Sequence, residues 1–243
     1  GSLSPVWTYL GIHGLDTSDP AGPRVVHGFL HRDAPRYRID ETWDAMGMRA
    51  TASHDTLLDK AFVPDDAVVM VSPAGFAGAN MYHLSLFAWA LLGFAGIYLA
   101  QAKRAYDEVV ATLPNRRSMG LTRSMAYHPE VQHTVAEMRI ALESAEAHLD
   151  RVCDDWSNGV DHGGEWPVKI MACKHAVVSQ AWSVVDNALD VSGGAGIFKR
   201  NRLEQIVRDA RLGRIHPSNP ALTHEVVGKI SLGINPDEQP RWG

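Results

Sequence analysis

Residues 208–225 read RDARLGRIHPSNPALTHE. An arginine-rich helical stretch runs into a His-Pro-Ser-Asn-Pro turn, and a new helix is expected from about residue 220. Within that turn His216 is the side chain that can hold or release a proton near neutral pH. No carboxylate follows Asp209 until Glu225. An imidazole at a helix end also has a purely structural use, bonding a carbonyl and complementing the helix dipole. Two other groups could hold a ligand. Arg116, with Arg117 and Ser118 beside it, offers a fixed guanidinium fork of the kind that suits phosphate oxygens. Gly193 and Gly194 close a long apolar helix and would let backbone approach a ligand with no Cβ between. The same residues read equally well as a solvated basic turn and a helix C-cap.

The elements that must position these groups follow from periodicity. Residues 1–71 contain short runs rich in β-branched and aromatic residues, TYLGIHGL, RVVHGFLH, YRID and TLLDKAFV, separated by the turn clusters DTSDPAGP and HRDAPR. Four strands are expected there. They make an incomplete sheet with open edges, which leads us to expect a further portion ahead of Gly1. SPAGFAGA, residues 72–79, reads as a linker of small and bending residues. From about Met81 the period becomes helical. In 128–158, Val131, Val135, Met138, Leu142, Ala145, Leu149, Val152 and Trp156 form one seam, with Pro129 at the start and Asn158-Gly159 at the stop. A second seam, Val168, Met171, His175, Val178, Trp182, Val185 and Leu189, runs through 166–192. Two shorter helices are expected over 202–213 and about 220–232. The sequence therefore predicts an α+β chain, a partial antiparallel β-domain (1–72) followed by an antiparallel helical bundle (73–243).

Composition narrows the functions. The 243 residues carry a net charge of −5, which gives no pull toward nucleic acid. Cys153 and Cys173 have no metal-ligand spacing and cannot build a disulfide framework, so a reduced, cytoplasmic setting is expected. GSLSPVW does not read as a signal peptide. No Asp, Glu, Lys or Arg occurs between Asp66 and Lys103, but the apolar run Leu86–Ala100 is shorter than the ~18–20 residues of a membrane span. A helix buried on all sides inside a protein is expected, and no membrane partner. His27 and His31 share a strand face too far apart for a tight metal pair, and His128, His175 and His224 do not complete a metal site.

Several segments, in chain order, resemble the acyl-CoA dehydrogenase superfamily of FAD flavoproteins. WDAMGMRATASHDTLLDKAFVPDDAVV (43–69) is similar to the second half of that family's middle β-domain. AQAKRAYDEVV (100–110) with RRSMG (116–120) resembles its long helix and the stretch after it. LDVSGGAGIFKRNRLEQIVRDARLGRI (189–215) resembles its GG-x-G…RDA region. The resemblance runs from about Trp7 onward. It implies FAD at a subunit interface in a homodimer or homotetramer, and a small-molecule substrate, either an acyl-CoA or an aromatic or heteroatom compound. It also implies cofactor contacts from Arg116, Ser118, Met119, Asp190, Gly193, Gly194 and Asn219, with Met119 standing where the family usually has an aromatic. The missing half of the sheet then belongs to the family's N-terminal part.

The catalytic positions depart from the family's pattern. Its dehydrogenases use a glutamate after RDA to remove the substrate's α-proton, and that position is Pro217. The alternative position on the long helix is Ala90, and the polar pair near the thioester tail falls on Ala88 and Leu91. What remains is His216, six residues after Ala210, as in the superfamily's flavin monooxygenases. Three readings stay open: a dehydrogenase-like FAD oxidoreductase, a monooxygenase using His216, and a non-catalytic subunit completing a neighbour's FAD site.

Overall fold

The computed structural model describes residues 1–75 and 80–238. The chain divides into two compact units, one holding residues 1–83 and the other 84–238. Half of the linker expected at 72–79 lies outside the described residues, and the units part between His83 and Leu84.

The first unit contains β1 (Tyr9–Asp16), β2 (Arg24–His31), β3 (Tyr37–Asp40), β4 (Asp55–Leu58) and β5 (Val68–Pro73). β1, β2 and β5 form an antiparallel sheet with β2 central, and β3 pairs with β4 in a separate two-stranded ribbon. The β1–β2 register runs from Tyr9 opposite His31 to Asp16 opposite Arg24. Arg24 closes the hairpin by donating to Asp16 at 2.8 Å. Among the described residues there are five strands rather than four. TLLDKAFV pairs only through Leu58 because Lys60 takes a positive φ of 55°, which breaks extended structure. The fifth strand comes from the alternating VVMVSP beyond it. The register slips between His27 and Gly28, where a Cβ on Gly28 would meet the Ala67 carbonyl oxygen at 3.1 Å.

The second unit is a helical bundle of α1 (Met81–Thr112, its first turn belonging to the first unit), α2 (Pro129–Ser157), α3 (Trp166–Ser192), α4 (Arg202–Ala210) and α5 (Pro220–Ser231). The α2 seam lies where its spacing places it, and Val131, Met138, Leu142, Ala145, Leu149 and Val152 are buried. Each of the larger side chains removes enough apolar surface from water to contribute roughly 1.5–3 kcal/mol. The α3 seam is wider than expected. Val178 and Val185 of the expected seam are buried, but so are Ile170, Cys173, Lys174, Val177, Ala181, Val184 and Ala188, whereas Met171, His175 and Trp182 are only partly so. α3 touches α2, α4 and α5, and a helix flanked on several sides buries a wide arc that no single 3-4 stripe describes. α1 is also corrected. It buries Ala88, Leu91, Ala95, Tyr98 and Ala102 but leaves Phe87, Trp89 and Ile97 exposed, Trp89 to 76%. By length and hydropathy it is the described helix that would qualify as a membrane span.

Candidate functional site

His216 sits where three elements converge. Phe94 and Tyr98, one helical turn apart on α1, project from the same face. The Phe94 ring stacks on the imidazole at 4.6 Å and 22°, and the Tyr98 hydroxyl lies 2.9 Å from Nδ1. From α3, the Lys174 ammonium reaches the turn that carries His216. It donates to the carbonyl oxygens of Gly213 (3.1 Å), His216 (3.0 Å) and Ser218 (2.9 Å). Gly213 permits this closeness, because a Cβ there would lie 2.8 Å from Val178 Cγ1 and 3.1 Å from the Tyr98 ring. Beyond the turn, Ser218 and Thr223 share a buried hydroxyl contact of 3.1 Å, and Asn219 caps α5 by accepting from the Leu222 amide at 3.0 Å. The side chain expected to contact a cofactor therefore closes a helix start.

Burial sets the protonation here. It lowers the His216 imidazole below 6.5, with the Lys174 charge acting the same way, so the ring is neutral at pH 7. It pushes the Tyr98 phenol up to about 12, with Asp209 adding to the rise. It lowers Lys174 to about 8, while three carbonyl acceptors around Nζ favour the charged form. At neutral pH Lys174 is an ammonium.

A second centre lies at the far end of α1. Arg116 Nη1 donates to the Val191 carbonyl at 2.6 Å, one of the free carbonyls at the end of α3. Gly193 takes φ 57° and ψ −157°, a region essentially reserved for glycine. A Cβ on it would stand 2.9 Å from Arg116 Nη2. The structure thus brings Arg116 and Gly193 together. Gly194 follows in an exposed turn, Ser118 and Met119 lie in an exposed loop with Met119 fully solvated, and Asp190 is exposed on the last turn of α3. Between Tyr98 and Thr112 alone α1 rises about 21 Å, so the two centres cannot grip the same small group.

The remaining candidates are structural. Glu225 pairs with Lys229 at 3.0 Å. His27 stacks on His13 at 3.8 Å and bonds Tyr82 at 2.7 Å, and His175 packs beside His224. Among the described residues no group of three or more His, Cys, Asp or Glu could hold a metal. Phe94, Tyr98 and Lys174 were not found by spacing. A signal for the lysine exists, since it is the only charged residue between Lys169 and Asp186.

With this geometry in hand, comparison with known proteins is specific. Residues 92–219, more than half of the chain, match the family described as acyl-CoA dehydrogenase, C-terminal domain. The chain belongs to the acyl-CoA dehydrogenase family. The match encloses both centres. YdbM of Bacillus subtilis, provisionally named an acyl-CoA dehydrogenase, is 31% identical over 204 residues, covering 83% of this chain and 50% of that protein. Indole-3-acetate monooxygenase of Pseudomonas putida is 28% identical over 206 residues, covering 82% and 52%. Among solved structures, KijD3 in complex with FMN and a dTDP-linked amino sugar superposes with a TM-score of 0.82 at 25% identity, covering 99% of this chain and 59% of that one. The chain spans about half the length of the curated relatives it matches. Both dehydrogenases and oxygenases thus stand among its relatives.

Proposed function

We propose that the protein is an FAD-dependent oxidoreductase of the oxygen-using kind, a monooxygenase in which His216 binds and orients a substrate hydroxyl or amine. One observation carries this reading: the positions that by the family resemblance would hold a dehydrogenase's glutamate are Pro217 and Ala90, while the adjacent His216 is held by Tyr98 and Phe94. FAD, when bound, supplies the two-electron redox chemistry that these side chains lack. The chain's residues fit such a group. Gly193 keeps clear the space beside the Arg116 guanidinium that a Cβ would fill, and the half-exposed fork of Arg116 is suited to a diphosphate. Ser118 adds a hydroxyl to the same loop.

His216, neutral and half-buried, can bind a substrate hydroxyl or amine, orient it and offer it a hydrogen-bond donor. The stacked Phe94 ring excludes water from one imidazole face. Separation of the two centres favours FAD bridging copies of the chain in a homodimer or homotetramer, the arrangement in which one copy's Arg116 and another's His216 serve one cofactor.

A dehydrogenase reading keeps support from the family match and from YdbM. The experiment separates them. Protein supplied with reduced FAD and oxygen should oxygenate members of a panel of phenols, indoles and amino sugars, and H216A should lose that turnover. Anaerobic mixing of the FAD-loaded protein with a series of acyl-CoA esters should leave the flavin oxidised. Loss of flavin colour with any of them would overturn the oxygenase reading, and failure to retain FAD would favour the non-catalytic subunit.

A further inference from the structure

We propose that Tyr98 is a positioning residue that fixes the tautomer of His216, so that the imidazole proton resides on Nε2 and is presented to substrate. This rests on the oxygenase reading for its consequence, but the tautomer itself follows from hydrogen-bond accounting alone. The Tyr98 side chain is 1% exposed, and among the described residues its hydroxyl meets His216 Nδ1 and no other partner. A buried phenol that did not donate to Nδ1 would leave an unsatisfied O–H inside the bundle, at a cost of about 1–3 kcal/mol. Burial keeps that phenol protonated far above neutral pH. The hydroxyl therefore donates and Nδ1 accepts. A neutral imidazole whose Nδ1 accepts carries its single proton on Nε2.

Three further observations make the assignment consequential. His216 is neutral at pH 7, because burial and the Lys174 ammonium both oppose a second proton. Nε2 has no hydrogen-bond partner among the described residues, and the ring is not fully enclosed. Phe94 fixes the ring plane, while Lys174 fixes the backbone on both sides of the histidine through its carbonyl and that of Ser218. Ring plane, main chain and tautomer are thus set by three different side chains, two from α1 and one from α3. The only freedom left to His216 is the exchange of its Nε2 proton.

The test uses FAD-loaded protein labelled with ¹⁵N-histidine. Its nitrogen shifts and one-bond N–H couplings should show His216 protonated at Nε2 and bare at Nδ1. Tyr98→Phe keeps the ring and removes the donor. It should lose the single tautomer and lower kcat for substrate oxygenation roughly 10- to 100-fold, with KM within about twofold, whereas a merely structural role would leave the tautomer unchanged. A wild-type proton on Nδ1 overturns the proposal, and so does a Tyr98→Phe protein with the wild-type tautomer and kcat. The wild-type spectrum decides the tautomer even if the variant does not fold. If H216A turns over at the wild-type rate while the wild-type spectrum shows Nε2–H, the tautomer assignment stands and the oxygenase role of His216 falls.

Discussion

Arg116 and Lys174 are both cations that end on backbone carbonyls, and they differ in almost everything else. Arg116 spends one N–H on Val191 at a half-exposed helix end, leaving most of a five-donor fork directed elsewhere. Lys174 is 2% exposed and has three donors for three carbonyls. The first is a group that can still bind; the second is already fully used. A cation beside helix-end carbonyls therefore tells nothing about function until its remaining donors and its solvent access are counted. Arg116 keeps donors for the ligand contact proposed above, and Lys174 belongs to the shape of the turn that carries His216.

Four measurements break or sharpen this contrast. Lys174→Met should be the most damaging change, since it strands three carbonyls that the ammonium now satisfies. A loss of about 3–5 kcal/mol in denaturant unfolding is expected, and a loss below 1 kcal/mol would show the turn to be self-supporting. Arg116→Ala should leave folding close to wild type but weaken FAD binding by about 1.5–3 kcal/mol in a titration, the usual worth of a hydrogen bond to a charged group. Gly193→Ala forces a Cβ into the Arg116 guanidinium and into a backbone region costing about 1–3 kcal/mol. It should lower both stability and FAD affinity, and unchanged values would remove the diglycine from the site.

The smallest effect is one of pH. His27, His175 and His216 all have lowered values, burial being the first cause of each. Below 6.5 the unfolded chain takes up protons before the folded chain does. Their contribution is therefore complete above about 6.5 and is lost as pH falls through the lowered values. Melting temperature should drop between pH 7 and 5, and His216→Gln should reduce that drop. The acid limb of oxygenation should likewise fall below 6.5.

Much of this was legible before any coordinates. The α2 seam, with Pro129 at its start, and the starts of α1, α3 and α5 follow from apolar spacing. Arg116 and Gly193 were legible only as members of an ordered set of segments resembling one family, since either alone reads as a turn or a cap. The fifth strand, Val68–Pro73, was missed because it lies beyond the last of the four expected runs and enters the segment of small residues at 72–79. The α3 seam was read too narrowly because a parallel series at the same spacing, Ile170, Lys174, Val177, Ala181, Val184 and Ala188, is the more buried one, and the charge on Lys174 hides it from an apolar count.

The sequence by itself determined the order and type of most elements, the resemblance to one family, and a turn after RDA that offers His216 and no carboxylate. These are local properties, and local spacing carries them. Only the tertiary structure decided that Tyr98 meets His216 across 118 positions of chain, and that a lysine sits in the core beneath that turn. It also decided which face of α1 is left to solvent. A buried polar group is defined by its partner, and nothing in the spacing of one helix records which carbonyls another part of the chain will bring to it.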